Sequence, residues 1–124
     1  MTQDRMALRL AAPSGYAAML GLGKYLHVSG LDRTIVDLVK IRASQINRCA
    51  FCLDMHTREA LTAGDDDRRL HTLAAWREAP WFTEREQAAL ALTEAVTLVA
   101  DTAVPDQVWQ RAAALFDQRE LADL

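Results

Sequence analysis

Cysteine, glycine, proline and aromatic residues are all scarce in this chain of 124 residues, with 2 Cys, 5 Gly, 3 Pro and 6% aromatic side chains. Two Cys are too few for the disulfide framework that holds small secreted domains together. Few Gly, Pro and aromatic residues, set against 22 Ala and 17 Leu, disfavour sheet and favour helix. An excess of basic residues is missing too. The net charge is −3, Lys24 and Lys40 are the only Lys, and the Arg are scattered, which argues against non-specific nucleic-acid binding. No apolar run approaches a membrane span, and Asp4, Arg5 and Arg9 spoil any signal peptide. What remains is the expectation of one helical domain in the cytoplasm, with neither nucleic acid nor membrane as a partner. A chain of this length can bury roughly two-thirds of its unfolded surface, so one core suffices.

What is present is helical punctuation. Residues 1–13 carry no strong period and read as an N-terminal arm, leaving 14–124 as the domain. Ser14 is expected to cap a helix over 16–27. Asp32 opens a second, with Ile35, Val36, Leu38, Val39, Ala43 and Ile46 at helical spacing. Asn47 is expected to interrupt it and cap a third over 49–63, which Gly64 ends. Asp65, Asp66 and Asp67 suit the N-terminus of a helix running to about Ala79, with Leu70, Leu73, Ala74 and Trp76 inward. Thr83 and Glu86 form a capping box for a helix to about Ala100. Pro105 suits the first turn of another, with Val108, Trp109, Ala112 and Leu115 inward. Asp117 and Glu120 repeat the capping pattern so close to Leu124 that a C-terminal helix is expected to be cut short. The prediction is all-α, an antiparallel bundle of about six helices.

The informative segment is Arg42-Ala-Ser-Gln-Ile-Asn-Arg-Cys49-Ala-Phe-Cys52-Leu-Asp-Met-His56. On a helix, Cys49 and Cys52 are three apart and Cys52 and His56 four apart, so all three share a face, with about 5–6 Å between neighbouring Cβ atoms. A thiol in the first turn of a helix is stabilised as thiolate by amide donors and the dipole. His56 is placed to accept its proton. Asp37, on the preceding helix, is a candidate carboxylate for the imidazole. Three readings stand open here: two buried thiols with a core histidine; a zinc site completed by His71 or Asp37; and a redox dithiol in which one thiolate attacks and the other resolves the product. Glu86 is first a capping residue and a secondary candidate to approach the cysteines.

At these residues the chain resembles the alkylhydroperoxidase D family, within the carboxymuconolactone decarboxylase superfamily, whose motif is a Glu followed by Cys-x-x-Cys-x-x-x-His. Arg42-Ala-Ser-Gln-Ile-Asn47 before Cys49, Asp54-Met55-His56-Thr57 after Cys52, Ala75-Trp76-Arg77-Glu78, the Thr83 to Glu86 box and Leu92-Thr93-Glu94-Ala95-Val96-Thr97 are typical of one branch. The resemblance covers about residues 15–124. It implies a cofactor-free, all-helical peroxidase that acts on organic hydroperoxides and assembles as a homo-oligomer, a trimer or hexamer. It also implies that Cys52 attacks the peroxide, Cys49 resolves it, His56 is the base and Asp37 the distal carboxylate. An external dithiol, in some relatives a lipoylated protein, would restore the thiols. Two departures stand out: Asp37 replaces the usual Glu, and Arg48 stands where Gly is common. A cofactor-free decarboxylase or lyase, and a non-enzymatic redox-sensing oligomer, are the alternative functions.

Overall fold

The computed structural model describes residues 5–124, so residues 1–4 of the expected arm lie outside the described residues. The described residues are helical and contain no strand. Their order is α1 (Leu8–Ala11), α2 (Pro13–Val28), α3 (Arg33–Asn47), α4 (Ala50–Thr62), α5 (Asp67–His71), a 3-10 turn (Leu73–Ala75), α6 (Glu84–Thr97), α7 (Val99–Thr102), α8 (Asp106–Leu115) and α9 (Gln118–Asp123). The all-α expectation holds, but the chain is cut into more and shorter pieces than six helices. The Cα framework divides into two compact units, one ending at Gly30 and the other running from Leu31 to Leu124.

The first unit holds α1 and α2. Helix α2 begins at Pro13, where a fixed φ and a missing N–H cost nothing. Ser14 therefore lies inside the helix and not at its cap, correcting the expected start. Neither helix buries a residue, and Met19, Leu22 and Val28 are exposed.

The second unit is built on α3, which packs against both α4 and α6, while α6 packs against α8. Asp32 caps α3 by accepting from the Thr34 N–H at 2.9 Å. One side of α3 joins a core of Leu38, Ile41, Ala60, Leu70, Leu73, Trp76, Phe82 and Leu90. Another side sends Ile35 into a second cluster with Ala88, Ala89, Leu92, Ala112 and Phe116. Helix α6 serves both, sending Leu90 into the first core and Ala88, Ala89 and Leu92 into the second. The Thr83–Glu86 capping box forms in both directions, as does the box of Asp117 and Glu120 that opens α9. The expected helix from Asp67 to Ala79 instead breaks at Thr72, whose hydroxyl turns back to the Arg68 carbonyl, and continues as the 3-10 turn. Ala74 and Trp109, both expected inward, are exposed, Trp109 at 48%.

Residues from three separate segments meet at one half-buried carboxylate. Glu94 accepts from Arg42 Nε at 3.1 Å, Trp76 Nε1 at 2.8 Å and Arg77 Nη1 at 2.7 Å. The cluster ties α3, the segment after the 3-10 turn and α6 together. Burial pushes the Glu94 carboxyl up, but the hydrogen bonds from Arg77, Trp76 and Arg42 outweigh it and hold the group below the usual carboxylate range. A group depressed in the folded state adds stability above its unfolded value, about 4.3 for Glu, and loses it as pH falls through the folded value. Urea unfolding of Glu94→Gln should therefore show a flatter loss of stability with acid than wild type does below that pH.

Candidate active site

The loop between α3 and α4 is two residues long, and its geometry depends on Arg48. Arg48 has φ 55° and ψ 40°, a left-handed conformation at the C-cap of α3, where its N–H reaches the Gln45 and Ser44 carbonyls. Gly, which the resemblance leads one to expect here, adopts that region without steric cost, whereas Arg does not. Arg48→Gly should stabilise the fold by roughly 0.5–1 kcal/mol, readable as a higher urea midpoint with an unchanged slope.

The turn puts Cys49 at the N-cap of α4, correcting the expectation that Asn47 caps it: Asn47 is the last residue of α3. Cys49 Sγ accepts from the Cys52 N–H at 3.3 Å, and the Cys49 N–H donates to the Ser44 carbonyl at 3.1 Å. Cys49 and Cys52 are joined as a disulfide across this first turn, with Cα atoms 5.3 Å apart. Both cysteines are half-buried, and Phe51 between them is exposed. The sulfurs thus sit where free amide donors of the helix start point, a setting that favours thiolate when the pair is reduced.

His56 follows one turn along α4, its side chain 16% exposed. Its Nδ1 lies 3.0 Å from Glu59 Oε2. The Glu59 carboxyl is held below the usual carboxylate range, first by this hydrogen bond, against the opposing effect of burial, and further by the charges of His56, Lys40 and Arg33. Asp37, on α3, is buried, and both its oxygens accept from Arg33 Nε at 3.0 and 3.1 Å. Asp37 is thus paired with Arg33, and the carboxylate hydrogen-bonded to the imidazole is Glu59. The sequence reading missed both Arg33 and Glu59, although each carried a helical signal: Arg33 and Asp37 are four apart, His56 and Glu59 three apart. Glu86 is committed elsewhere, bound by Arg69 Nη1 and Nη2 at 3.1 and 2.9 Å. His71 ends α5, an exposed position. Among the described residues, no group of three or more His, Cys, Asp or Glu side chains is arranged to hold a metal ion.

The model of the carboxymuconolactone decarboxylase family matches residues 13–95. The chain belongs to this family. The match spans α2 to most of α6 and includes the Cys-x-x-Cys-x-x-x-His segment. Among curated proteins, the uncharacterized protein YdfG of Bacillus subtilis (strain 168) is 41% identical over 121 residues, covering 98% of this chain and 82% of YdfG. The uncharacterized protein YnjA of Escherichia coli (strain K12) is 33% identical over 96 residues, 77% of this chain and 52% of YnjA. A crystal structure from Agrobacterium tumefaciens superposes with a TM-score of 0.92 at 36% identity, covering 98% of this chain and 83% of that one. It is described as a protein of unknown function and a candidate antioxidant defence protein AhpD. This family member therefore has an AhpD-like, all-α fold. None of its helices is long and apolar enough to cross a membrane among the described residues.

Proposed function

We propose that this family member is a thiol-dependent peroxidase that reduces organic hydroperoxides at Cys49 and Cys52. One observation carries the reading: the two cysteines are bonded to each other across the first turn of α4, with an imidazole one turn away on the same helix. That pairing is the product state of the cycle proposed here. The description of the Agrobacterium relative as a candidate antioxidant defence protein agrees with it.

In the reduced protein, His56 takes the thiol proton of Cys52, and the thiolate attacks the hydroperoxide. The O–O bond breaks, the sulfur gains the terminal oxygen as sulfenic acid, and the alkoxide leaves as alcohol with a proton from the imidazolium. Cys49 sulfur then forms a bond to Cys52 sulfur, expelling water. An external dithiol exchanges with the disulfide and restores both thiols while becoming oxidised itself. Asp37 is the distal carboxylate of the site, acting through Arg33. The assembly of copies into a homo-oligomer belongs to the same reading, and the exposed apolar side chains of α2 support it.

The test is mass analysis of the dithiothreitol-reduced protein before and after one equivalent of cumene hydroperoxide. The expected product is lighter by two hydrogens, with cumyl alcohol released in equal amount. A protein that keeps both thiols while the hydroperoxide persists would refute the reading.

A further inference from the structure

We propose that Glu59 is the positioning residue of His56, keeping its proton on Nδ1 so that Nε2 is left to take the thiol proton of Cys52. This rests on the thiol-chemistry reading above. The contact is direct: Nδ1 and Glu59 Oε2 are 3.0 Å apart. An ionised carboxylate has no hydrogen to give, so the ring nitrogen facing it must be the donor, and in the neutral ring the other nitrogen is then the acceptor. The two residues are three apart on α4, so the helix itself sets their approach. Glu59 is held in its ionised form by its surroundings on two helices, with His56 on α4 and Lys40 and Arg33 on α3.

This arrangement assigns different tasks to the two carboxylates. Asp37 is occupied at both oxygens by Arg33 and is buried, so it anchors that guanidinium. Arg33 in turn acts on Glu59 through its charge. Glu59 alone meets the imidazole by a hydrogen bond among the contacts described for these groups. Proton transfer moves one proton from Cys52 Sγ to His56 Nε2, and the resulting imidazolium stands beside the Glu59 carboxylate.

Two readouts that need no peroxide decide the matter, both on the reduced full chain in a Cys49→Ser background, which leaves Cys52 as the single thiol. The 15N shifts of the His56 ring should report the Nδ1–H tautomer, and Glu59→Ala should move the ring towards Nε2–H. Glu59→Asp should recover part of the original tautomer. The rate of Cys52 alkylation by iodoacetamide should fall about fivefold at neutral pH in Glu59→Ala, converge with wild type at high pH, and recover in part in Glu59→Asp. Asp37→Asn should leave the tautomer as it is. Unchanged tautomer and alkylation profile in Glu59→Ala, or a tautomer change in Asp37→Asn alone, would overturn the assignment. Absence of hydroperoxide turnover in the wild-type chain would count against the peroxidase reading, while the tautomer still decides the role of Glu59.

Discussion

Cys52→Ser is expected to lose hydroperoxide turnover by about a thousandfold or more, because it removes the atom that bonds to the peroxide oxygen. A Ser hydroxyl in the same place is neither ionised at neutral pH nor nucleophilic enough towards an O–O bond. Cys49→Ser should behave differently. Its Cys52 still attacks once, giving one equivalent of alcohol and a protein heavier by one oxygen, and the cycle stops there for want of a resolving thiol. The same substitution keeps an N-cap side chain that can accept the Cys52 N–H, so the helix start is preserved. Coupled turnover and intact-mass measurements on both variants separate the roles. If Cys52→Ser gives the single equivalent of alcohol and Cys49→Ser gives none, the order of the two cysteines is reversed. If both retain turnover, the chemistry does not run through thiols.

The largest effect on stability is expected from Leu38→Ala. Leu38 is 1% exposed and sits on α3 among Ile41, Ala60, Leu73 and Leu90, where α4, the 3-10 turn and α6 meet. Removing its isobutyl end loses burial and leaves a cavity that four rigid neighbours cannot close, at a cost of about 3 kcal/mol. For a domain of this size that lowers the melting temperature by roughly 10 °C. Leu61→Ala is the control: its side chain is 39% exposed on α4, and the change should stay within about 0.5 kcal/mol. Equal losses in the two variants would mean that the core is not where α3 places it.

The parts of the fold that were legible from the sequence are those set by local interactions. The capping boxes at Thr83 and Asp117 and the cap at Asp32 form as expected, because each needs only a side chain and an amide within three residues. The misplaced boundaries are those where two local signals competed. Ser14 lost to Pro13, and Asn47 lost to a left-handed Arg48 that lets Cys49 become the cap. The break at Thr72 had no Gly or Pro to announce it.

The scarcity of cysteine takes its meaning from spacing, and spacing is a property of the sequence. Cys49, Cys52 and His56 share a helix, so three- and four-residue separations alone placed them on one face. The partners of charged groups are different in kind. Nothing along the chain tells that Glu94 would gather Arg42, Trp76 and Arg77, since these lie on separate elements brought together by core packing. Spacing offers His56 two carboxylates, Asp37 on the preceding helix and Glu59 three residues on, and does not choose between them. Asp37 and Glu59 were both one or two helical turns from a suitable cation, and the choice was made by burial: Asp37 went under with Arg33 over it, leaving Glu59 to the imidazole. Sequence determined the helical class and the dithiol, because both follow from short-range periodicity. The tertiary structure decided the pairing of charges, because a buried ionised group must find its counter-charge wherever packing puts one.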